Sequence, residues 1–252
     1  MNIINLIKQA AFKAMILLKA RYCKGNIKTG YKVLTWSKLK GNKEYFIKDL
    51  KCCVCGSCGK YCSGCDKGCY VTKSYRYSSV IKSHAIRTIA IRYFLDDLKE
   101  CLIKQLQRMR KKPDYVRIHQ SGEFETLQEF LMHIDIARQF PDITFYAYTK
   151  AYDIIVPYIL QHADTMPDNF IILISIWNEC GIKEYNLLKH LPFIKAFVCL
   201  TGYDYAAAGI DITTVCNAYD SKGKLNHELT CDKCKKCMLC NDNNKCIGCV
   251  EH

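Results

Sequence analysis

The first 25 residues hold no uncharged run long enough to cross a bilayer. Lys8, Lys13 and Lys19 divide the apolar stretch into residues 1–7, 9–12 and 14–18, whereas a spanning helix needs about 20 consecutive apolar residues. No secretory signal is visible either, so the chain is expected in the cytoplasm of a bacterial or phage-infected host cell, where thiols stay reduced. A Walker-type glycine loop, a G-x-S-x-G and an H-E-x-x-H are all missing. Nucleotide hydrolysis, serine-esterase and zinc-protease chemistry therefore have no motif behind them. No low-complexity linker isolates any part of the chain.

What the chain has in excess is cysteine, 18 in 252 residues. With 50% hydrophobic residues it can bury a sizeable core without covalent staples. Dense cysteines in a reduced compartment then point to metal rather than to a disulfide framework.

The formal charge of +13 suggests an anionic partner. Thiolates offset part of it: four around a doubly positive four-iron cluster leave about −2 per site, and two such sites lower the total to roughly +9. Runs such as KQLQRMRKK (104–112) read as solvated helix faces, so nucleic-acid contact is the less favoured reading. The N-terminal segment places Ile4, Ile7, Ala11, Ala14, Met15 and Leu18 at helical spacing. It is expected to be a packing helix, with a membrane-surface helix as the alternative.

Three regions separate by composition. Residues 1–50 carry that helix and two plausible strands, YKVLTW and KEYFIKDL. Residues 51–200 begin with a cysteine-rich loop (51–73) and continue into an α/β core. Residues 201–252 form a cysteine-rich extension expected to fold back onto the sheet. Within the core, YVRIHQ, ITFYAY, FIILIS and IKAFVCL recur every 24 to 28 residues with helical segments between them. Nearly continuous apolar strands alternating with helices predict a parallel sheet, either open or a partial (β/α) barrel. If KEYFIKDL joins at the front, the sheet has about five or six strands.

The C-terminal array sets Cys231, Cys234, Cys237 and Cys240 at C-x2-C-x2-C-x2-C, followed by Cys246 and Cys249, with Cys216 as a further candidate. This closely resembles the bacterial ferredoxin run and favours an iron–sulfur cluster, with a four-thiolate zinc site as the alternative. The first array, KCCVCGSCGKYCSGCDKGCYVTK, holds seven cysteines within eighteen positions, after a strand and before a long helix. That is where α/β proteins place their chemistry. Cys58, Cys62 and Cys65 have the C-x3-C-x2-C spacing that lets three thiolates hold three irons of a four-iron cluster. A ligand set of Cys65, Cys69 and a thiol from elsewhere is the other choice, and complete four-cysteine ligation a third.

In these residues the chain resembles the radical S-adenosylmethionine (SAM) enzymes, although Gly64 stands where their motif usually has an aromatic. The resemblance implies a partial barrel, SAM bound at an open iron, and a turn after the second strand that meets the SAM amino group. Ser121, Gly122 and Glu123 occupy that turn here, ITFYAYTK and LISIWNE loosely match the next two strand ends, and extra clusters in a cysteine-rich tail are common. One or two four-iron clusters, or more, and SAM are the cofactors implied. A closer resemblance, over most of the chain, is to a cysteine-rich family encoded by phages and prophages, carried by CDKGCYVTK, VRIHQSGEF, FYAYTK and the tail.

Glu123 and His119 are the candidate catalytic residues, both at or just past a strand end, with a glycine before Glu123 to allow close approach. Arg117, Trp177, Asn178 and Glu179 are lesser candidates, while Cys101, Cys180 and Cys199 read as structural. The partner is an unknown substrate or electron donor. A non-catalytic module binding nucleic acid or a host protein, and an electron-transfer protein with fully ligated clusters, are the competing functions.

Overall fold

A computed structural model of the chain describes residues 3–25, 29–30, 32–62, 69–177, 179–199, 210, 212, 214–216, 231–235, 237 and 246–249. The chain opens with helix α1 (Ile3–Lys19), a two-residue strand β1 (Cys23–Lys24) and strand β2 (Val33–Thr35). A hairpin of β3 (Glu44–Ile47) and β4 (Cys52–Cys55) follows, then helices α2 (Ser78–Tyr93) and α3 (Leu95–Arg108). Strand and helix then alternate through β5 (Tyr115–Ile118), α4 (Leu127–Gln139), β6 (Thr144–Thr149), α5 (Tyr152–His162), β7 (Phe170–Ile176), α6 (Glu179–Leu188) and β8 (Ile194–Cys199). The tail contributes β9 (Thr214–Val215), α7 (Cys231–Cys234) and β10 (Cys246–Cys249).

Among the described residues, eight strands form one sheet in the order β1-β2-β5-β6-β7-β8-β10-β9. Only the β1–β2 edge is antiparallel; the other pairings are parallel. The sheet is open, ending at β1 and β9. Every residue of β7 (FIILISI) is buried, as expected of a central parallel strand covered on both faces.

From β2 to β8 the parallel strands lie side by side in chain order. Right-handed crossovers in that order place the connecting helices on one face. Alternate residues divide accordingly. Val116, Ile118, Phe145, Ala147, Ile172, Ile174, Ala196 and Val198 join the main core with the helices. Val33, Tyr115, Tyr146, Ile171, Leu173 and Ile247 form a second cluster on the other face, where Tyr148, Phe197, Cys216, Cys231 and Cys237 pack. The tail therefore does return to the sheet, extending its edge and packing on the face opposite the connecting helices.

Two expectations are corrected. KEYFIKDL does not join the main sheet: Glu44–Ile47 pairs with Cys52–Cys55 in a separate hairpin, and Val33–Thr35 from YKVLTW is the first parallel strand. The start of the first cysteine array is consequently a strand, not a loop. Helix α1 packs on α2 and α3, as expected of a packing helix, through Ile16, Met15, Leu17 and, just past its end, Ala20, and it leaves Ile4, Ile7 and Leu18 exposed. Among the described residues no helix is long and apolar enough to cross a membrane.

Candidate functional site

Beyond β2 the chain runs on extended along the end of β5. Trp36 N–H donates to Arg117 O at 2.8 Å, Gln120 N–H to Trp36 O at 3.1 Å and Lys38 N–H to Ser121 O at 2.8 Å. On its other side the same segment holds the cysteine array. Ser57 N–H donates to Leu39 O at 2.8 Å and Cys58 N–H to Gly41 O at 2.9 Å. In return, Gly41 N–H donates to Cys58 Sγ at 3.2 Å. Cys58 is thus fixed at the C-terminal end of the parallel sheet, with a backbone donor on its sulfur.

The Ser121–Glu123 turn closes over this arrangement. Ser57 Oγ accepts from Glu123 N–H at 3.3 Å and donates to Leu39 O at 2.7 Å. Gly122 has φ +85°, and a Cβ there would lie 2.5 Å from Ser57 Oγ and 2.8 Å from Lys38 Cβ. The glycine is required because the turn packs against the Cys58 segment. Gly122→Ala is expected to destabilise the protein by more than the 1–2 kcal/mol of a left-handed conformation alone, since the contact must also open. Urea denaturation measures this, and a loss below about 0.5 kcal/mol would refute the packing account.

Glu123 is buried and fully engaged. Its Oε1 accepts from Thr149 Oγ1 at 2.8 Å and Phe124 N–H at 2.9 Å, and its Oε2 from Lys150 N–H at 2.7 Å. The carboxylate ties the turn after β5 to the end of β6, so SGEF and FYAYTK meet through one side chain. Lys60 and Tyr61, in the helical turn after Cys58, both bond Asp153 at the start of α5. Burial, then that carboxylate, pushes the Tyr61 hydroxyl up. Tyr75 accepts from Lys40 N–H at 2.9 Å, and burial pushes its hydroxyl up to about 12. A cleft of about 280 Å³ opens beside this end of the sheet, lined by Ser37, Gln120, Cys23, Ser83 and the buried Arg87 among others.

His119 turns away from this surface. It has φ +56°, its side chain is wholly buried 3.2 Å from Glu129 Oε1, and its ring packs edge-on against Phe124 at 4.3 Å. The same interior holds Lys38, 2.7 Å from Glu129 and 3.2 Å from Glu125, and His133, whose ring nitrogens have no hydrogen-bond partner among the described residues. Lys38, Glu129 and His133 carry no sequence signal of burial. Arg117 lies on the face opposite the connecting helices, 4.6 Å over the Tyr148 ring. Trp177 receives the Lys150 ammonium at 4.3 Å, Glu179 opens α6, and Asn178 lies outside the described residues.

The tail cysteines divide between the two faces. Cys216, Cys231 and Cys237 lie against the face opposite the connecting helices, near enough that the first two disfavour ionisation of the third. Burial is the larger cause, pushing the Cys237 thiol up to about 12, while Tyr148 and Arg117 pull the other way. Cys246 is buried in the helix-side core, where its thiol donates to Tyr185 Oη at 3.2 Å. Cys234 is half-buried at the end of α7, and Cys69 is half-buried before the turn at Tyr70–Arg76. Cys65, Cys240 and the side chains of Cys62 and Cys249 lie outside the described residues. Among the described residues no group of three or more His, Cys, Asp or Glu is arranged to hold a metal ion.

Fold and site together define an open, mostly parallel α/β protein with a thiol-bearing segment clamped at the C-terminal end of its strands. The chain belongs to a family of phage-type gene products described as Gene product 88, which matches residues 22–243. Neither the curated proteins nor the solved structures offer a match.

Proposed function

We propose that the chain is a cytoplasmic iron–sulfur protein with a radical-SAM-like arrangement. Cys58, Cys62 and Cys65 would hold a four-iron cluster. The supporting observation is the placement of Cys58 at the C-terminal end of the first parallel strand's extension, hydrogen-bonded at its sulfur and locked beneath the Ser121–Glu123 turn. Thiolates suit iron, and a backbone donor to sulfur is the kind of contact that tunes such sites. The chain-ordered parallel strands would form the wall of a partial barrel, with an auxiliary site drawn from the cysteines of the tail. When bound, the cluster supplies one-electron reduction, and with SAM at an open iron it supplies radical chemistry. Glu123 acts in this reading as the organiser of the turn, since its oxygens already accept three hydrogen bonds. Backbone groups at Ser121 and Gly122 remain the candidates to meet SAM. Cys69 decides between an open iron and an electron-transfer protein with full ligation.

Anaerobic purification followed by iron, zinc and acid-labile sulfide assay tests the proposal. Wild-type protein should carry iron and sulfide, and Cys58→Ser should lose at least one cluster's worth of both. Zinc without sulfide would replace the iron–sulfur reading with a zinc-stabilised binding module. If iron and sulfide are found, an unchanged paramagnetic signal on adding SAM would favour the electron carrier.

A further inference from the structure

Helix α1 carries its apolar stripe on the side away from the protein. Successive helical residues turn by about 100°, so Ile4, Ile7, Ala11, Ala14 and Leu18 fall within an arc of roughly 80°. All five are exposed, with Ile7 63%, Leu18 62% and Ile4 57% accessible. Ile16 and Ala20, which anchor α1 to the core, lie on the opposite side of the helix. Packing against the body uses that opposite side, with Met15 and Leu17 packed beside it, while Ile7, Ala11, Ala14 and Leu18 of the stripe stay exposed.

Charge identifies what covers it. The helix IINLIKQAAFKAMILLK contains three lysines and no acidic residue. Lys13 is paired with Asp97 of α3 at 2.7 Å, while Lys8 and Lys19 are exposed along one border of the stripe. A second copy docked stripe to stripe in antiparallel fashion would bring these lysines together with no carboxylate on either helix. An apolar stripe bordered by lysines instead matches a lipid surface with anionic headgroups, where the lysines meet phosphate or carboxylate and the stripe enters the acyl boundary. The helix also precedes the part of the chain that matches the family, which begins at residue 22. We propose that α1 is a membrane-surface helix that docks the protein onto an anionic lipid leaflet.

Co-sedimentation of the full chain with vesicles of phosphatidylcholine, with and without phosphatidylserine, tests this. The protein should bind the phosphatidylserine vesicles at low salt and release as salt rises. Lys8→Gln/Lys19→Gln should weaken partition by about thirtyfold, from about fivefold per lysine at an anionic surface. Ile7→Asp/Leu18→Asp should abolish binding while leaving the thermal midpoint unchanged, because both residues are outside the core. Failure of the wild type to bind, equal binding to both vesicle types, or binding that survives Ile7→Asp/Leu18→Asp would each overturn the proposal. So would a dimer in sedimentation equilibrium that the same double variant dissociates, which would make a second copy the occupant.

Discussion

Glu129→Ala is expected to destabilise the protein by about 3–5 kcal/mol, the usual cost of stranding one member of a buried ion pair. Lys38 and Glu129 are both fully buried and 2.7 Å apart. Burial alone would raise the Glu129 carboxyl, but the Lys38 ammonium and His119 hold it well below the usual carboxylate range. Its Oε2 also accepts from Glu125 N–H at 3.0 Å. Removing the side chain leaves an ammonium in the interior whose one remaining carboxylate among the described residues is Glu125, 3.2 Å away and itself engaged by Arg92 at 2.6 Å. Glu129→Gln keeps an acceptor and should cost less. Lys38→Met/Glu129→Leu removes both charges and should recover most of the loss, since apolar replacement of a whole buried pair is often neutral. Urea midpoints of the four proteins at neutral pH decide the matter. A cost below about 1 kcal/mol for Glu129→Ala, or no recovery in the double variant, would show that the pair does not hold this region. Lys38 also borders Gly122, which packs on Ser57, so on the function proposed above iron and sulfide content should fall with stability in the single variant.

The strands from β5 to β8 were legible because each is a short β-branched run followed by a helical pattern, and a parallel sheet needs little else. The front of the sheet was not. Glu44–Ile47 and Val33–Thr35 are both short and apolar, and the partner of each is fixed by contacts outside its own sequence: Cys52–Cys55 for one and Tyr115–Arg117 for the other. Periodicity found the amphipathic stripe of α1 but could not say which side meets the body. In α4 the pattern Leu127, Phe130, Leu131, Ile134, Ala137 marks one face, yet Glu129, Met132, His133 and Ile136 are buried as well. A charged residue in such a helix reads as surface until a lysine 91 positions away is found beside it.

The site was legible in position and not in wiring. A glycine and an acid just past a strand end drew attention to Gly122 and Glu123. Their partners, Ser57 and Thr149, lie 66 and 26 positions from Glu123, which no local pattern reports. Cysteine spacing grouped Cys231, Cys237 and Cys246, but β10 alternates like any strand. Cys246 faces the helices, while its neighbour Ile247 faces Cys231 and Cys237 across the sheet. Two-residue spacers bring thiols together only where the backbone between them turns.

Lowering the pH from 7 to 5 is expected to cost about 4 kcal/mol of stability through two histidines. Burial pushes the His133 imidazole down to about 3, aided by His119 and Lys38 and opposed by Glu129. His84, whose Nδ1 lies 3.1 Å from Tyr75 Oη, is also lowered to about 3, by burial and by the Arg87 guanidinium. In the unfolded chain both titrate near 6.5. Above that pH neither state binds the proton and the full stability is present. Below it the unfolded chain takes up protons that the folded one refuses, so stability falls continuously toward pH 3. At pH 5 the loss is about 2 kcal/mol per histidine, set by the gap between 5 and 6.5 rather than by the folded value. The Glu129 carboxylate contributes in a separate window, because its stabilisation is lost only as pH falls below the unfolded carboxylate range near 4.3. His133→Leu should therefore remove about half the drop between pH 7 and 5 and leave the steeper fall below pH 4.5 in place. A urea-denaturation series across pH 4 to 8 on both proteins reads each window directly. Equal stability at pH 7 and 5 in the wild type, or an unchanged slope in His133→Leu, would mean that His133 is protonated inside the fold.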